Sequence, residues 1–387
     1  MLAVINLVII GTWLVFQASA CHVNPGQPEN VNACDTTANN IGRSDYEVYE
    51  TEESDKSKSV SDTVYVELVV TVDNILFRKI DNLYENGAKR KSNNQRNERA
   101  KWDEVEIYIR KFISAVDIRF SQFDPPIKFH IKNIVLDTQL RAIIDEDVLD
   151  AFKKRREIWG YVEKKRETCD VILALSGNEK FKEVSGKDGI YGVSTVNGAC
   201  TKNEQKTIVI QDLGQFSGVR SAIHHLGHML GAVHDGEDSS ASCCSDMGFI
   251  MSNFVYPKDV STDEEYKAIR NAAKFSRCSK TAITKFVRTA ACLHNIPRRE
   301  KYPLLSWQEL TDISTSLSLS DQCNIGYDTQ GGYCDNTTRT NADPCQWLEC
   351  ETRTSVCIVK ERNFAMEGTA CTPTKSCFQG DCTESKY

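Results

Sequence analysis

Apolar residues change their spacing several times between residues 62 and 292, and each change predicts an element. TVYVELVVTVD, from Thr63, is β-branched and nearly continuously apolar, the pattern of a strand covered on both faces. The polar ENGAKRKSNNQRNERAK after it reads as a loop, with Arg96 and Arg99 in solvated chain rather than at a processing site. From Trp102 to Phe120 the apolar Val105, Ile109, Phe112, Ala115 and Val116 recur at helical spacing. PIKFHIKNIVL alternates like a strand, VLDAFKKRREIWGYVEKK reads as an amphipathic helix, and CDVILALSG returns to a buried strand. GIYGVSTVNGAC and TIVIQD add two short strands, so strands alternate with helices and the class is α/β.

SGVRSAIHHLGHMLGAVHDG then carries Val219, Ala222, Ile223, Leu226, Met229, Leu230 and Val233 at three- and four-residue spacing, which predicts a helix with one buried face and Ser217 as its N-cap. The ends of the chain have a different character. Leu2 to Phe16 is mostly apolar and is followed by Ala18, Ser19 and Ala20, so residues 1–20 read as a cleaved signal peptide, although no Lys or Arg precedes the apolar run. Residues 21–61 are polar, carry the acidic run DYEVYETEESD, and read as a solvated leader in which Cys21 pairs with Cys34. Residues 293–320 hold prolines and charges and read as a linker with one helical turn.

Composition adds the compartment. Sixteen cysteines, an even number, behind a signal peptide imply an oxidising, extracellular setting and disulfides, and eight of them fall in residues 321–387. Such a short segment buries too little apolar surface to hold itself together and needs staples. A net charge of −7 argues against nonspecific nucleic-acid binding, and no stretch after residue 20 is apolar enough to cross a bilayer. Asn336 begins the one glycosylation sequon. A monomer is expected.

The chemistry concentrates in residues 224–234, which hold four of the seven histidines. On a helix His224 and His228 lie one above the other and present two imidazoles to one ion. Gly231 lets the chain turn so that His234 swings back as a third ligand. Three neutral nitrogens at about 2.0 to 2.1 Å with one open position suit Zn²⁺ that polarises a water or a carbonyl.

HHLGHMLGAVHD resembles the metzincin signature His-Glu-x-x-His-x-x-Gly-x-x-His, and Asp235 after it points to the reprolysin branch shared by snake-venom, ADAM and ADAMTS proteases. Over residues 62–292 the resemblance implies a metzincin catalytic domain, a twisted mixed sheet plus an active-site helix, followed by a small disulfide-rich module. It implies Met251, in GFIMS, as the Met-turn beneath the metal, and GVSTVNGAC as the edge strand along which a substrate peptide lies. The tail resembles the disintegrin-like module of ADAMTS proteases and implies Cys323–Cys350, Cys334–Cys357, Cys345–Cys377 and Cys371–Cys382. In the catalytic part it implies Cys200–Cys292 and Cys278 with Cys243 or Cys244, leaving Cys169 for the other of that adjacent pair. The domain order is similar to arthropod salivary and venom metalloproteases. The family carries a long inhibitory prodomain where this chain has residues 21–61, a short leader that fits a protein with no activity to restrain.

The departure is His225, at the position where the family's glutamate acts as general base and passes the proton to the leaving amine. An imidazole beside a divalent cation resists protonation and brings no negative charge to hold a water. The expectation is a zinc site retained in a weakened or inactive protease, with the His225 ring either idle or occupying the open coordination position. Two other readings stand beside it: an active zinc endopeptidase cleaving matrix or plasma proteins, with its base supplied by Glu237 or Asp238, and an adhesive module whose metal is at most structural.

Overall fold

VYVELVVTV, Val64–Val72, forms strand β1, and its alternation decides what packs on each side. Val64, Val66, Leu68, Val70 and Val72 enter the main core, while Val69 points to the opposite face. In this computed structural model the described residues are 63–87, 98–135, 151–179, 192–214, 216–253, 263–297, 301–312, 318–323, 332–334, 343–351, 357–359 and 364–384. The signal peptide, the Cys21–Cys34 pairing, Arg96 and Asn336 lie outside them.

Five strands form the central sheet in the order β2 (Ile127–Val135), β1, β3 (Val171–Ser176), β5 (Thr207–Gln211), β4 (Gly192–Val193). All neighbours are parallel except β4, which runs antiparallel to β5 at the edge. Helices α1 (Asn74–Gly87), α2 (Glu98–Phe120) and α4 (Val219–Met229) cover one face, through Leu76, Ile80, Ile109, Phe112, Ile223 and Leu226. Helix α3 (Ala151–Lys164) covers the other, where Ile158 and Val162 meet Ile172, Ala174 and Val209. This is the α/β arrangement the pattern predicts. The stretch read as a loop after β1 is shorter than expected, because α1 runs to Gly87 and α2 already begins at Glu98. Helix α1 starts directly after the first strand because the Asp73 carboxylate accepts the Leu76 N–H at 2.7 Å and caps it.

A buried carboxylate fixes the entry to α4. Asp212 accepts the Tyr108 hydroxyl at 2.8 Å, the Gly214 N–H at 3.1 Å and the Ser217 hydroxyl at 3.1 Å. Ser217 is therefore not the N-cap expected from the sequence: its hydroxyl is turned back into the loop, accepting from Leu213 N, and the cap position falls on Gly218. Asp212→Ala strands these donors in a dry site and is expected to cost about 3 kcal/mol, read as a lowered urea midpoint at unchanged m-value.

Beyond α5 (Asp263–Asn271) and α6 (Arg277–Thr289), the segment read as a linker is laid against α2. Leu305 N donates to the Ser114 hydroxyl at 2.8 Å, and α7 (Trp307–Leu310) opens with a Ser306/Glu309 capping box. The tail then forms α8 (Leu319–Cys323) and two small antiparallel sheets, β6 (Gly332–Tyr333), β7 (Glu349–Glu351), β8 (Cys357–Val359) and β9 (Ala370–Thr372), β10 (Lys375–Phe378), β11 (Asp381–Glu384). Disulfides join Cys323 to Cys350, Cys334 to Cys357, Cys345 to Cys377 and Cys371 to Cys382. In the sheet domain Cys200 joins Cys292 and Cys243 joins Cys278. The expected pairing of Cys169 with one of the adjacent cysteines fails: Cys169 is a free thiol, and burial pushes its pKa up to about 11, while Cys244 is disulfide-bonded elsewhere. Among the described residues no helix is long and apolar enough to cross a membrane.

Candidate metal centre

Every residue of α4 is buried, so its polar side chains face protein rather than solvent. His224 and His228 stand one turn apart. After Met229 the chain reverses at Gly231, whose φ of +109° is a left-handed conformation that side chains rarely adopt, and whose missing Cβ would lie 3.0 Å from the Phe286 Cβ. The reversal brings His234 back toward the helix, and the three histidines form one cluster.

The tautomers follow from the partners of each ring. His224 Nδ1 lies 2.9 Å from the Ile250 carbonyl and His228 Nδ1 lies 2.8 Å from the Ala232 carbonyl. A carbonyl only accepts, so both Nδ1 atoms carry the proton and both Nε2 atoms present bare lone pairs. These lone pairs converge: Nε2 of His228 is 3.1 Å from Nε2 of His224 and 3.2 Å from Nε2 of His234. Burial first, and the neighbouring imidazoles second, hold His224 well below the usual histidine range and bring His228 down to about 4. No proton therefore relieves the opposed lone pairs of His224 and His228 at neutral pH. A cation does: tetrahedral zinc with Zn–N near 2.05 Å separates its ligands by about 3.3 Å. The residues present fit that ion.

Each ring is held from behind. Ile250 and Met251 lie in the turn beneath α4, and Met251 approaches so closely that a Cβ on Gly227 would come 2.8 Å from its sulfur. Asp235 N donates to the Met251 carbonyl at 2.9 Å, and the buried Asp235 carboxylate accepts the hydroxyls of Ser276 at 2.6 Å and Ser279 at 3.2 Å, anchoring the loop to the start of α6. Glu237 sits behind His234, 3.2 Å from Nδ1, and its other oxygen takes the Asn253 amide at 2.7 Å. Its carboxylate is engaged at Nδ1, on the side of the ring away from the converging Nε2 atoms.

His225 projects elsewhere. Its Nδ1 is 2.9 Å from the Ser194 hydroxyl, and its ring presses on β4, where a Cβ on Gly192 would stand 2.5 Å from Nε2. The side chain is 5% exposed, and Nε2 has no hydrogen-bond partner among the described residues. It is absent from the ligand cluster, so the alternative in which it fills the open coordination position is not the arrangement observed. Gly192→Ala is expected to push this ring out of its slot and destabilise the fold by about 1 to 3 kcal/mol, measured by thermal unfolding. Ser194, Gly192 and the Ile250 carbonyl are parts of the site that sequence reasoning missed, since nothing in their residue types marks them.

On its C-terminal side the edge strand ends sooner than its sequence suggests. Among the described residues of this segment only Gly192–Val193 pairs with β5, and the chain after it folds onto the end of α4, with Asn197 N donating to the His228 carbonyl at 3.0 Å and Ala199 N to the Met229 carbonyl at 3.2 Å.

Comparison with known proteins gives two family matches. Residues 107–235 match the reprolysin-like metallopeptidase family M12B, and residues 315–383 match the ADAMTS cysteine-rich domain 2. Among curated relatives, a Bombyx mori "A disintegrin and metalloproteinase with thrombospondin motifs like" protein is 26% identical over 312 residues, 72% of this chain and 41% of that protein. The Bos taurus "A disintegrin and metalloproteinase with thrombospondin motifs 2" is 26% identical over 58% of this chain and 17% of its own length. The corresponding Homo sapiens protein 3 is 28% identical over 51% of this chain and 15% of its own length. The chain thus spans less than half of each of these three relatives.

Proposed function

We propose, for a chain that carries a reprolysin-like M12B metallopeptidase domain followed by an ADAMTS-type cysteine-rich domain, a secreted zinc-binding protease homologue with a crippled hydrolytic step. Its cleft or its cysteine-rich tail binds an extracellular protein. The observation that carries this reading is the contrast between the three converging nitrogens and position 225, where an imidazole is wedged against Gly192 and tied to Ser194. His224, His228 and His234 would hold the ion. Bound zinc would supply Lewis-acid polarisation of a water or a peptide carbonyl. What the chain's own residues fail to supply is the carboxylate that orients a water, takes its proton and returns it to the leaving amine, help worth about 10²- to 10⁴-fold. The edge at β4 remains suited to receiving an extended peptide, so binding outlasts hydrolysis.

Elemental analysis of the purified chain together with a casein-cleavage assay tests the reading. Zinc near one equivalent without cleavage is the expected result. Zinc with cleavage would establish instead an active endopeptidase acting on matrix or plasma proteins, and a metal-free protein would leave an adhesive module.

A further inference from the structure

We propose that Glu367, in the cysteine-rich module, is a positioning residue for the ligand His224, so that the module completes the metal centre. The inference rests on the zinc reading above. Glu367 is 1% exposed and pairs with Nε of Arg119, which is itself fully buried near the end of α2. Nη1 of Arg119 donates to the Ala273 carbonyl at 2.8 Å. The next carbonyl along the chain, that of Lys274, accepts the Ile250 N–H at 2.9 Å. The Ile250 carbonyl in turn accepts Nδ1–H of His224 at 2.9 Å. A carboxylate in the module is therefore linked to a candidate zinc ligand through one guanidinium and two short backbone steps.

Two further contacts press on the same route. The Gln379 N–H donates to the second oxygen of Glu367 at 2.8 Å, and at Gly380 a Cβ would overlap the Ala273 side chain and stand 2.7 Å from Nη1 of Arg119. The Phe364 ring lies beneath two guanidinium groups, 4.5 Å from Arg119 Cζ and 5.5 Å from Arg220 Cζ, and Arg220 is the second residue of α4. Both ends of the metal-bearing region, the first turn of α4 and the turn beneath it, thus meet the module. The bond from Nδ1 fixes the ring plane and the direction of the Nε2 lone pair, so a displaced Ile250 carbonyl turns that lone pair off the point where the three converge. Without the Glu367 charge, Arg119 is a buried cation left with the weaker pull of Asp381 and drawn toward solvent, and it pulls on Ala273 as it moves.

A contact that merely glues two domains together would lower the unfolding temperature and leave the metal alone. The full-length chain with Glu367→Gln, which keeps the shape of the side chain and removes its charge, separates the two. Zinc affinity by chelator competition is expected to fall roughly 10-fold, the scale of losing an outer partner of a metal ligand, and the visible bands of the Co²⁺-substituted protein are expected to shift. Phe364→Leu, which leaves the ion pair intact, is expected to weaken zinc in the same direction and serves if the first variant does not fold. Wild-type affinity and wild-type Co²⁺ bands in the folded variant, with only a lower unfolding temperature, would overturn the inference. A wild-type chain that takes up neither zinc nor Co²⁺ sinks the zinc reading itself, an outcome visible before any variant is made.

Discussion

His225→Glu is expected to raise casein cleavage by about 10²- to 10⁴-fold over the wild-type chain at equal zinc content. The variant changes the one position where a carboxylate is missing and leaves untouched the Nδ1 bonds to Ile250 and Ala232 that orient the first two rings. A glutamate is slimmer than an imidazole, so the close approach of the present ring to Gly192 is relieved rather than worsened. The Ser194 hydroxyl loses its ring partner, which costs the folded state about 1 kcal/mol, far less than the expected change in the reaction barrier. Equal cleavage rates for wild type and variant would refute the assignment of a crippled step, because the lost carboxylate would then not have been limiting.

Arg119→Ala is expected to destabilise the chain by about 3 to 5 kcal/mol, since it leaves the Glu367 carboxylate buried without a countercharge. The variant also empties the stack over Phe364 and frees the Ala273 carbonyl. The loss depends on pH in a determined sense. Burial, outweighing the pull of Arg119, raises Glu367 to about 7, above an unfolded value near 4.3. A carboxyl raised on folding binds its proton more tightly in the folded state, so stability falls as pH climbs from the unfolded value through the folded one. Removing Arg119 raises the folded value further, so the variant should be hurt least near pH 5 and most near pH 8. Replacing both partners by methionine should cost much less than Arg119→Ala, because no buried charge is then left alone. Urea titrations at the two pH values settle the matter, and a loss under about 1 kcal/mol at pH 8 would contradict it.

The elements were legible where packing imposes a period. Val64–Val72, Val171–Ser176 and Thr207–Gln211 are strands covered on both sides, and continuous β-branched runs announce them. Asp73 closes the first strand in the sequence pattern yet caps α1 in the fold, and Ser217 is no cap because Asp212, five residues earlier, captures its hydroxyl. Fixed spacing on one helix gave the shared face of His224 and His228, and the resemblance of the motif supplied the meaning of position 225.

What the sequence determined by itself is therefore periodic or local: the α/β class, the helix carrying two histidines one turn apart, and the turn at Gly231, with the missing carboxylate at His225 added by the motif's resemblance to the family. Only the tertiary structure decided where the His225 ring goes, which carbonyls fix the Nε2 lone pairs, that Glu237 stands behind His234, and that Glu367 reaches across to Arg119. Those contacts join residues far apart in the chain or depend on the direction of one side chain. Periodicity carries no information about either, because they arise when separate elements are packed and buried polar groups must find partners in whatever surrounds them.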